Sequence, residues 1–512
     1  MRRLLCLAIA LILCVGCAMG ESLNVMVYDR EDMPEEYGTP VNNQWTRFLR
    51  EKCLEELGLD VTYTAVSRNN DAKEITVLLA SANPPDILFA YDHDMWLRFC
   101  ESGLLMDLTE PLAQYGPNIL KNQADVLPYG KYQGRQYAIC NQRGSTEVTS
   151  GFIRQDWLDR IGVQPARSED GHLMMTTDEL YDVLTAFREQ GLCGQQDGAV
   201  FLSYGSTYWP ILLILEAFYE EDQITSEDLY ALPNFLYAGA REGYRYLNRL
   251  YNDGLMNADF AFIGDNDKSA YIQKIVSGQA GFWINDSWFG FFDDTLSRLM
   301  ENDPDAAVAA VDLIGPGRQP SYKYTYNDYG LMIFVPARSA HVGAAIKYLD
   351  YLSKPENDIV LRYGFENEHY ILSDDGVPMT KDREYNRATR IDVSDLALMY
   401  NGNVYLGNED AALNLQMLPE ALRGLRKQTH NVALTHGFQL PVTDRYLTVS
   451  SSQQYLLEEK ERALRFRTIM CAADDFDRVW EACVADYLNC GGSDIIGQKR
   501  ALFQRYAKAS EE

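Results

Sequence analysis

Positive charge is scarce in this 512-residue chain: 46 Lys and Arg stand against 74 Asp and Glu, a net charge of −28. A field of that sign repels nucleic-acid phosphates, so no nucleic-acid partner is expected. Histidine is rarer still. The six, His93, His172, His341, His369, His430 and His436, include no i, i+4 pair on a helical face, and no metal ion or other cofactor is expected. Nucleophile elbows, H-E-x-x-H, phosphate-binding glycine loops and G-x-G-x-x-G after a strand are all missing, so the chain is not expected to be an enzyme. The Asp265-Asn266-Asp267 run lacks the Gly and the bidentate Glu of a calcium loop and reads as a polar turn. Asp92 and Asp94 flank His93, but carboxylates this common in an acidic chain are ordinarily solvated.

Long apolar runs are also missing past the N-terminus. The first 20 residues carry Arg2 and Arg3, an apolar stretch over 4–16 and small residues around Gly16, Cys17, Ala18 and Gly20, the layout of an export signal. That stretch is shorter than a membrane span needs, and no later one reaches the roughly 18 consecutive apolar residues of a membrane helix. Two cleavage sites compete. Gly16-Cys17 resembles the end of a lipobox, with Cys17 as the lipidated residue, although Cys14 stands where Leu is usual. Ala18-Met19-Gly20 would release the chain after Gly20. The expected location is therefore the outer face of the cytoplasmic membrane, held by a lipid, or the medium.

Of the 10 Cys, seven lie beyond the signal: Cys53, Cys100, Cys140, Cys193, Cys471, Cys483 and Cys490. An odd set without zinc spacing leaves at least one free thiol, and buried Cys acting as small apolar residues is the simplest account. A bridge among Cys471, Cys483 and Cys490 stays open.

What is present is ample apolar and aromatic material, 46% and 12% of residues, with 33 Tyr and 7 Trp. At ~150 residues per structural unit the length suggests about three units or two large lobes. Leu23, Val25 and Val27 alternate as a strand; Trp45, Phe48, Leu49, Cys53 and Leu57 fall on one helical stripe closed by Gly58; residues 61–66 return to strand. That order requires a crossover, and so a parallel pair in an α/β domain. Further strands are expected at 87–90, 199–202, 280–284 and 331–335. A capping box at Thr176 and Glu179 should start a helix, and a pattern past about residue 390 is helical.

Aromatic and polar residues gather just after these strands: Tyr91-Asp92, Tyr204 to Trp209, and Asn285 to Trp288. Ligands of open α/β sheets bind outside the carboxyl ends of strands. Flat rings cover the C–H faces of a sugar while amides and carboxylates bond its hydroxyls, so this mixture suits a neutral carbohydrate.

Several short segments carry a resemblance: Asn83-Pro84-Pro85-Asp86-Ile87, Gly103-Leu104-Leu105-Met106-Asp107-Leu108, Tyr129-Gly130-Lys131-Tyr132, Ile153-Arg154-Gln155-Asp156-Trp157-Leu158, Gly278-Gln279-Ala280-Gly281, Leu349-Asp350-Tyr351-Leu352 and Tyr363-Gly364-Phe365-Glu366. In that order they resemble the bacterial extracellular solute-binding proteins of family 1, receptors of ABC importers, in the long Gram-positive lipoprotein form. The resemblance implies a two-lobed periplasmic-binding-protein-like α/β fold, each lobe an open sheet flanked by helices, with a helical C-terminal region. The expected lobes are 21–138 with about 325–375, and 139–324 with about 376–512. It further implies a monomer that encloses a carbohydrate, in particular an oligosaccharide, between its lobes by hinge closure and hands it to an ABC permease. By similarity to maltose-binding proteins, Asp29, Arg30, Tyr91 and Asp92 would line the first lobe, Tyr204, Trp209, Asn285 and Trp288 the second, with Asn141, Tyr326 and Asn327 near the crossings. Extra residues at 32–40 and the long tail depart from that pattern, so maltose itself is not implied. A surface glycoside hydrolase and a same-fold receptor for a peptide or other polar solute are the rival readings.

Overall fold

A computed structural model describes residues 20–31, 33–194, 198–205, 207–263, 269–373, 376, 378–382, 385–386, 389, 393–400, 413, 415–442 and 451–511. The signal segment with Cys17, and the Asp265-Asn266-Asp267 turn, lie outside them. The chain divides into two compact units, residues 1–143 with 329–407 and residues 144–328 with 408–512. The fold class is α/β, each unit built on an open sheet with helices around it.

In the first unit Glu21–Asp29 runs parallel to Leu59–Ser67, Leu23 opposite Val61 and Val27 opposite Ala65. The crossover between them is the helix Gln44–Leu57. Asn43 caps it by accepting from the amides of Trp45 and Thr46, and Gly58 ends it at φ 66°, a left-handed position that glycine fills without strain. A second set of strands, Leu88–Ala90, Tyr329–Phe334 and Ile139–Gln142, pairs antiparallel with Tyr329–Phe334 in the middle. A bridge from Val25 to Ile87 links the two sets.

Two of the family-like segments owe their form to this packing. Asp86 is buried and accepts from the Asn24 amide at 2.9 Å and the Ser339 hydroxyl at 2.7 Å. Asp350 accepts from the Asn118 amide and side chain, both at 2.7 Å, and from the Ile119 amide at 3.0 Å, holding the start of the helix Pro117–Asn122. Carboxylates so enclosed are held by the donors around them.

Residues 393–400 pack with this unit, although the sequence pattern placed everything past about 375 in the other. Arg30 forms a bidentate pair with Asp395, both bonds 2.8 Å; the Gln123 amide donates to the Met399 carbonyl, and the Gln142 amide to that of Tyr400. Such long-range ties leave no periodic mark in the sequence.

The second unit has a six-stranded mixed sheet in the order Ala199–Leu202, Ala280–Asp286, Thr149–Arg154, Val308–Ile314, Leu173–Thr176, Ala166–Arg167. Thr149–Arg154 runs antiparallel to both its neighbours. The Thr176–Glu179 capping box starts the helix Thr177–Glu189. The Arg154 segment is structural here: Arg154 is buried, forks onto Asp156 with two 2.7 Å bonds, reaches Asp303 at 2.8 Å and lies over the Trp157 ring. The C-terminal region is helical, with Glu420–Leu434, Ser451–Met470, Phe476–Tyr487 and Ser493–Glu511. Asn248 tethers it by donating to the carbonyls of Thr468, Ile469 and Cys471. All seven Cys beyond the signal are free thiols, four of them buried. Among the described residues no helix is long and apolar enough to cross a membrane.

Candidate functional site

The first unit gathers its chemistry where Glu21–Asp29 and Leu88–Ala90 end. Tyr28 is buried in the final turns of its strand, and Tyr91 stacks near it, centroids 6.3 Å apart and planes 9° apart. The Arg68 guanidinium lies 5.0 Å from one ring centre and 5.1 Å from the other. Arg68 pairs with Asp71 at 2.6 Å, and the Tyr28 hydroxyl donates to the same carboxylate at 3.0 Å. Tyr91 keeps 42% of its surface exposed. Each cation in this cluster has a carboxylate partner, so the exposed part of it is an aromatic face beside balanced charge.

Of the residues expected here, Arg30 is committed to Asp395. Asp29 accepts from the Glu31 amide at 2.9 Å, and Asp92 caps the helix His93–Glu101 by accepting from the Met95 amide at 3.0 Å. Asn141 is buried and supports the sheet: its side-chain oxygen takes the Leu331 amide at 2.6 Å, where Tyr329–Phe334 shifts register. Any side chain at Gly330 would collide with that oxygen, its Cβ falling 2.4 Å away.

In the second unit the strand Ala199–Leu202 leads through a close-packed turn to the helix Trp209–Phe218. A Cβ on Gly205 would come within 2.3 Å of Phe466, and its carbonyl accepts from buried Arg465 at 2.7 Å. Trp209 occupies the first helical position ahead of Pro210, whose missing amide is not needed there. Tyr208 stacks on Trp209 at 4.9 Å, and the rings of Tyr324 and Tyr326 stand 6.2 and 6.3 Å from it.

These rings enclose a cavity of about 130 Å³ lined by Tyr208, Trp209, Leu212, Tyr219, Asn234, Tyr237, Tyr324, Tyr326, Phe438 and Leu440. The strand Lys323–Thr325, paired in parallel with Gly437–Gln439, supplies one wall. Its alternation sends Tyr322, Tyr324 and Tyr326 to one side, with Tyr322 stacked on Phe438 at 4.4 Å, and buried Lys323 and Thr325 to the other. Lys323 there donates to Asp312 at 2.8 Å and to the Thr435 carbonyl at 3.0 Å.

Trp209 and Tyr326 thus meet in one place, with half-buried Asn327 next in the chain. Trp288 is 50% exposed in the turn after Ala280–Asp286 and is not among the residues lining the cavity. Tyr204 and Asn285 belong to the interior. Tyr204 is 2% exposed and sits edge-on to Tyr271 at 5.1 Å, and the Asn285 amide donates to the Tyr271 hydroxyl at 3.3 Å. Asn285 lies within its strand and Tyr204 two residues past the end of Ala199–Leu202, and both side chains are packed inward.

Sequence reasoning passed over Tyr324, Tyr237, Tyr219, Phe438 and Asn234. The Tyr322, Tyr324, Tyr326 alternation was a usable signal for the first. The others reach the cavity from separate helices and strands and have no local signature.

Below the cavity the helix carries Glu216, fully buried, which accepts from the Tyr324 amide at 2.7 Å. Burial pushes its carboxyl up to about 8, against the pull of the Tyr324 bond and of Lys323. A second buried carboxylate, Glu147, behaves oppositely. Burial raises it, but hydrogen bonds from His430 and Arg426 and the Arg426 charge outweigh that and hold it at about 2. His430 Nδ1 is 2.6 Å from Glu147 and 3.3 Å from the Ser145 hydroxyl. Acid and hydroxyl share one ring nitrogen, whereas a hydrolytic relay needs them on opposite ones. Among the described residues no three or more His, Cys, Asp and Glu side chains converge as a metal cage.

With this arrangement in view, comparison with known proteins places the chain. Residues 39–359 match the family model described as bacterial extracellular solute-binding protein, and the chain belongs to that family. Lipoprotein LipO of Bacillus subtilis is 24% identical over 340 residues, 63% of this chain; the match spans only 64% of that protein's length. A second Bacillus subtilis protein, the polygalacturonan/rhamnogalacturonan-binding protein YtcQ, is 23% identical over 68% of each chain. Among solved structures, the Streptococcus pneumoniae ABC-transporter substrate-binding protein FusA in complex with kestose superposes with a TM-score of 0.65 over 96% of this chain and all of that one, at 15% identity.

Proposed function

We propose that this solute-binding protein is the receptor of an ABC importer and captures a neutral carbohydrate, an oligosaccharide, which it delivers unaltered to a membrane permease. The observation that carries this reading is the aromatic cavity at Trp209. Its rings offer apolar faces for sugar C–H groups, while Asn234 and the tyrosine hydroxyls offer bonds to sugar oxygens. The exposed face of Tyr91 on the first unit, with Asp29, Arg30 and Asp92 nearby in the chain, is proposed as a second contact surface. Trp288, Tyr326 and Asn327 are proposed to add contacts on the second unit, and Tyr204, Asn285 and Asn141 to support it from the interior. The sugar-binding names of YtcQ and FusA favour the same reading.

Closure of the two units about the ligand belongs to the proposal. A ligand draws a protein only toward the state in which it gains contacts, and that state is what a permease would recognise. A lipid on Cys17 would keep a monomeric receptor at the membrane face; cleavage after Gly20 would release it.

Calorimetry over neutral oligosaccharides tests the reading, with recovery of labelled sugar to check that it emerges intact. Trp209→Ala is expected to lose on the order of 1–3 kcal/mol of affinity with little change in melting temperature, since Trp209 is half-buried at a helix start. Undiminished binding by the variant would remove the cavity from the proposal, and a cleaved sugar would favour a hydrolase.

A further inference from the structure

The helix that begins at Trp209 carries one polar side chain, Glu216. It is fully buried seven positions on, about two turns, and so lies on the same face as Trp209. Its Oε2 has no partner among the described residues, and burial pushes the acid up to about 8, which leaves it mostly neutral near pH 7. An enclosed acid with one oxygen unused is a costly way to build a helix, and the other oxygen shows what it does.

The tyrosine strand turns every second amide to the same edge. The Lys323 amide faces the edge paired with Gly437–Gln439 and donates to the His436 carbonyl. The opposite edge carries the amides of Tyr322, Tyr324 and Tyr326. Glu216 takes two of them: its carbonyl accepts from Tyr322 at 3.1 Å and its Oε1 from Tyr324 at 2.7 Å. The third donates to the Thr146 carbonyl at 2.8 Å. A glutamate therefore stands where a neighbouring strand would, and its reach sets the gap between helix and strand at Tyr324. Trp209 stands on the helix side of that gap, with Tyr324 and Tyr326 on the other, their ring centres 6.2 and 6.3 Å from it. The charged groups that act on the carboxyl, Lys323 and Asp312, are paired with each other at 2.8 Å, and the phenols of Tyr208 and Tyr219 lie near it.

We infer that Glu216 is a positioning residue for the sugar: by holding the Tyr324 amide it fixes the spacing of the Trp209, Tyr324 and Tyr326 rings, and so the grip of the cavity, without touching the ligand. The inference rests on the carbohydrate reading above and adds to it the residue that sets the width of the slot.

Calorimetry at pH 7 on the full chain, with kestose, maltotriose, cellotriose, mannotriose and xylotriose, compares the natural protein with Glu216→Met, Glu216→Gln, Trp209→Ala and the Trp209→Ala/Glu216→Met double variant. Met keeps the length of the side chain and lacks the acceptor; Gln keeps the acceptor. Glu216→Met is expected to bind the tightest of these sugars about five- to tenfold more weakly, and Glu216→Gln within about twofold of the natural protein. Added to Trp209→Ala, Glu216→Met should weaken binding little further, because the slot has already lost one wall. Unchanged affinity in Glu216→Met, or losses that simply add in the double variant, overturns the inference, since the glutamate would then be structural or act elsewhere. A tenfold loss in folded Glu216→Gln overturns it too, and that arm stands even if Glu216→Met does not fold. In each of these cases weakened binding by Trp209→Ala leaves the carbohydrate reading in place. Failure of the natural protein to bind any of the five sugars removes both.

Discussion

Glu147→Gln is expected to cost about 3–5 kcal/mol of stability at neutral pH, because it strands a buried guanidinium. Glu147 and Arg426 are 5% and 4% exposed, joined by a bond from Arg426 Nη1 at 3.0 Å and a second, shorter one from Nη2, with His430 Nδ1 on the same carboxylate. They connect the strand side of the second unit to the helix Glu420–Leu434, nearly three hundred residues later in the chain. The pH dependence has a definite sign. A carboxyl held near 2 when folded and near its ordinary 4.5 when unfolded gives stability that is complete above about 4.5 and drains away as pH falls toward 2. Denaturant melts at pH 7, 4.5 and 3 check both points: the natural protein should weaken across the acid range, and Glu147→Gln should start lower and fall less. A variant as stable as the natural protein at pH 7 would show that the pair contributes nothing.

Glu216→Gln is expected to do the reverse. Glu216 has its folded value raised from 4.5 to about 8, burial being the main cause, with Lys323 pulling down and Asp312 pushing up; the phenols of Tyr219 and Tyr208 also stand close. A raised acid gives stability that is complete below about 4.5 and is lost as pH climbs through 8. By pH 7 the loss is about 3 kcal/mol, at 1.36 kcal/mol per unit. Glutamine retains the acceptor for the Tyr324 amide and cannot ionise, so the variant should match the natural protein near pH 4.5 and exceed it at pH 8. Melting temperatures that stay parallel from pH 5 to 8 would mean that Glu216 is ionised throughout.

How far the sequence could be read follows from which interactions are local. The alternation at Leu23, Val25 and Val27, the stripe from Trp45 to Leu57 and the Thr176 capping box are written in neighbouring residues, and the elements appear there. The parallel pairing followed from the crossover alone. The site was legible only in part. Trp209 was picked out because aromatic residues follow strands, and Tyr326 by the resemblance, but the strand-end rule also picked Tyr204 and Asn285, whose side chains turn into the core. Residue type tells that a ring is present; which way it faces depends on pairing that only the folded sheet supplies. The second unit's buried glutamates were invisible for a related reason. Glu216 sits in an apolar helix and Glu147 in a loop, and their opposite proton affinities come from partners contributed by distant segments.

The interleaving of the units also bears on how the chain is made. Tyr329–Phe334 is the middle strand of its antiparallel set, yet it emerges about two hundred residues after both flanking strands, Leu88–Ala90 and Ile139–Gln142. During synthesis, N-terminus first, those two strands wait with bare edges until the intervening segment has been made. Unpaired edges of this kind invite wrong partners. Completion of the chain therefore has to outrun aggregation, and a pause midway would leave a half-built sheet.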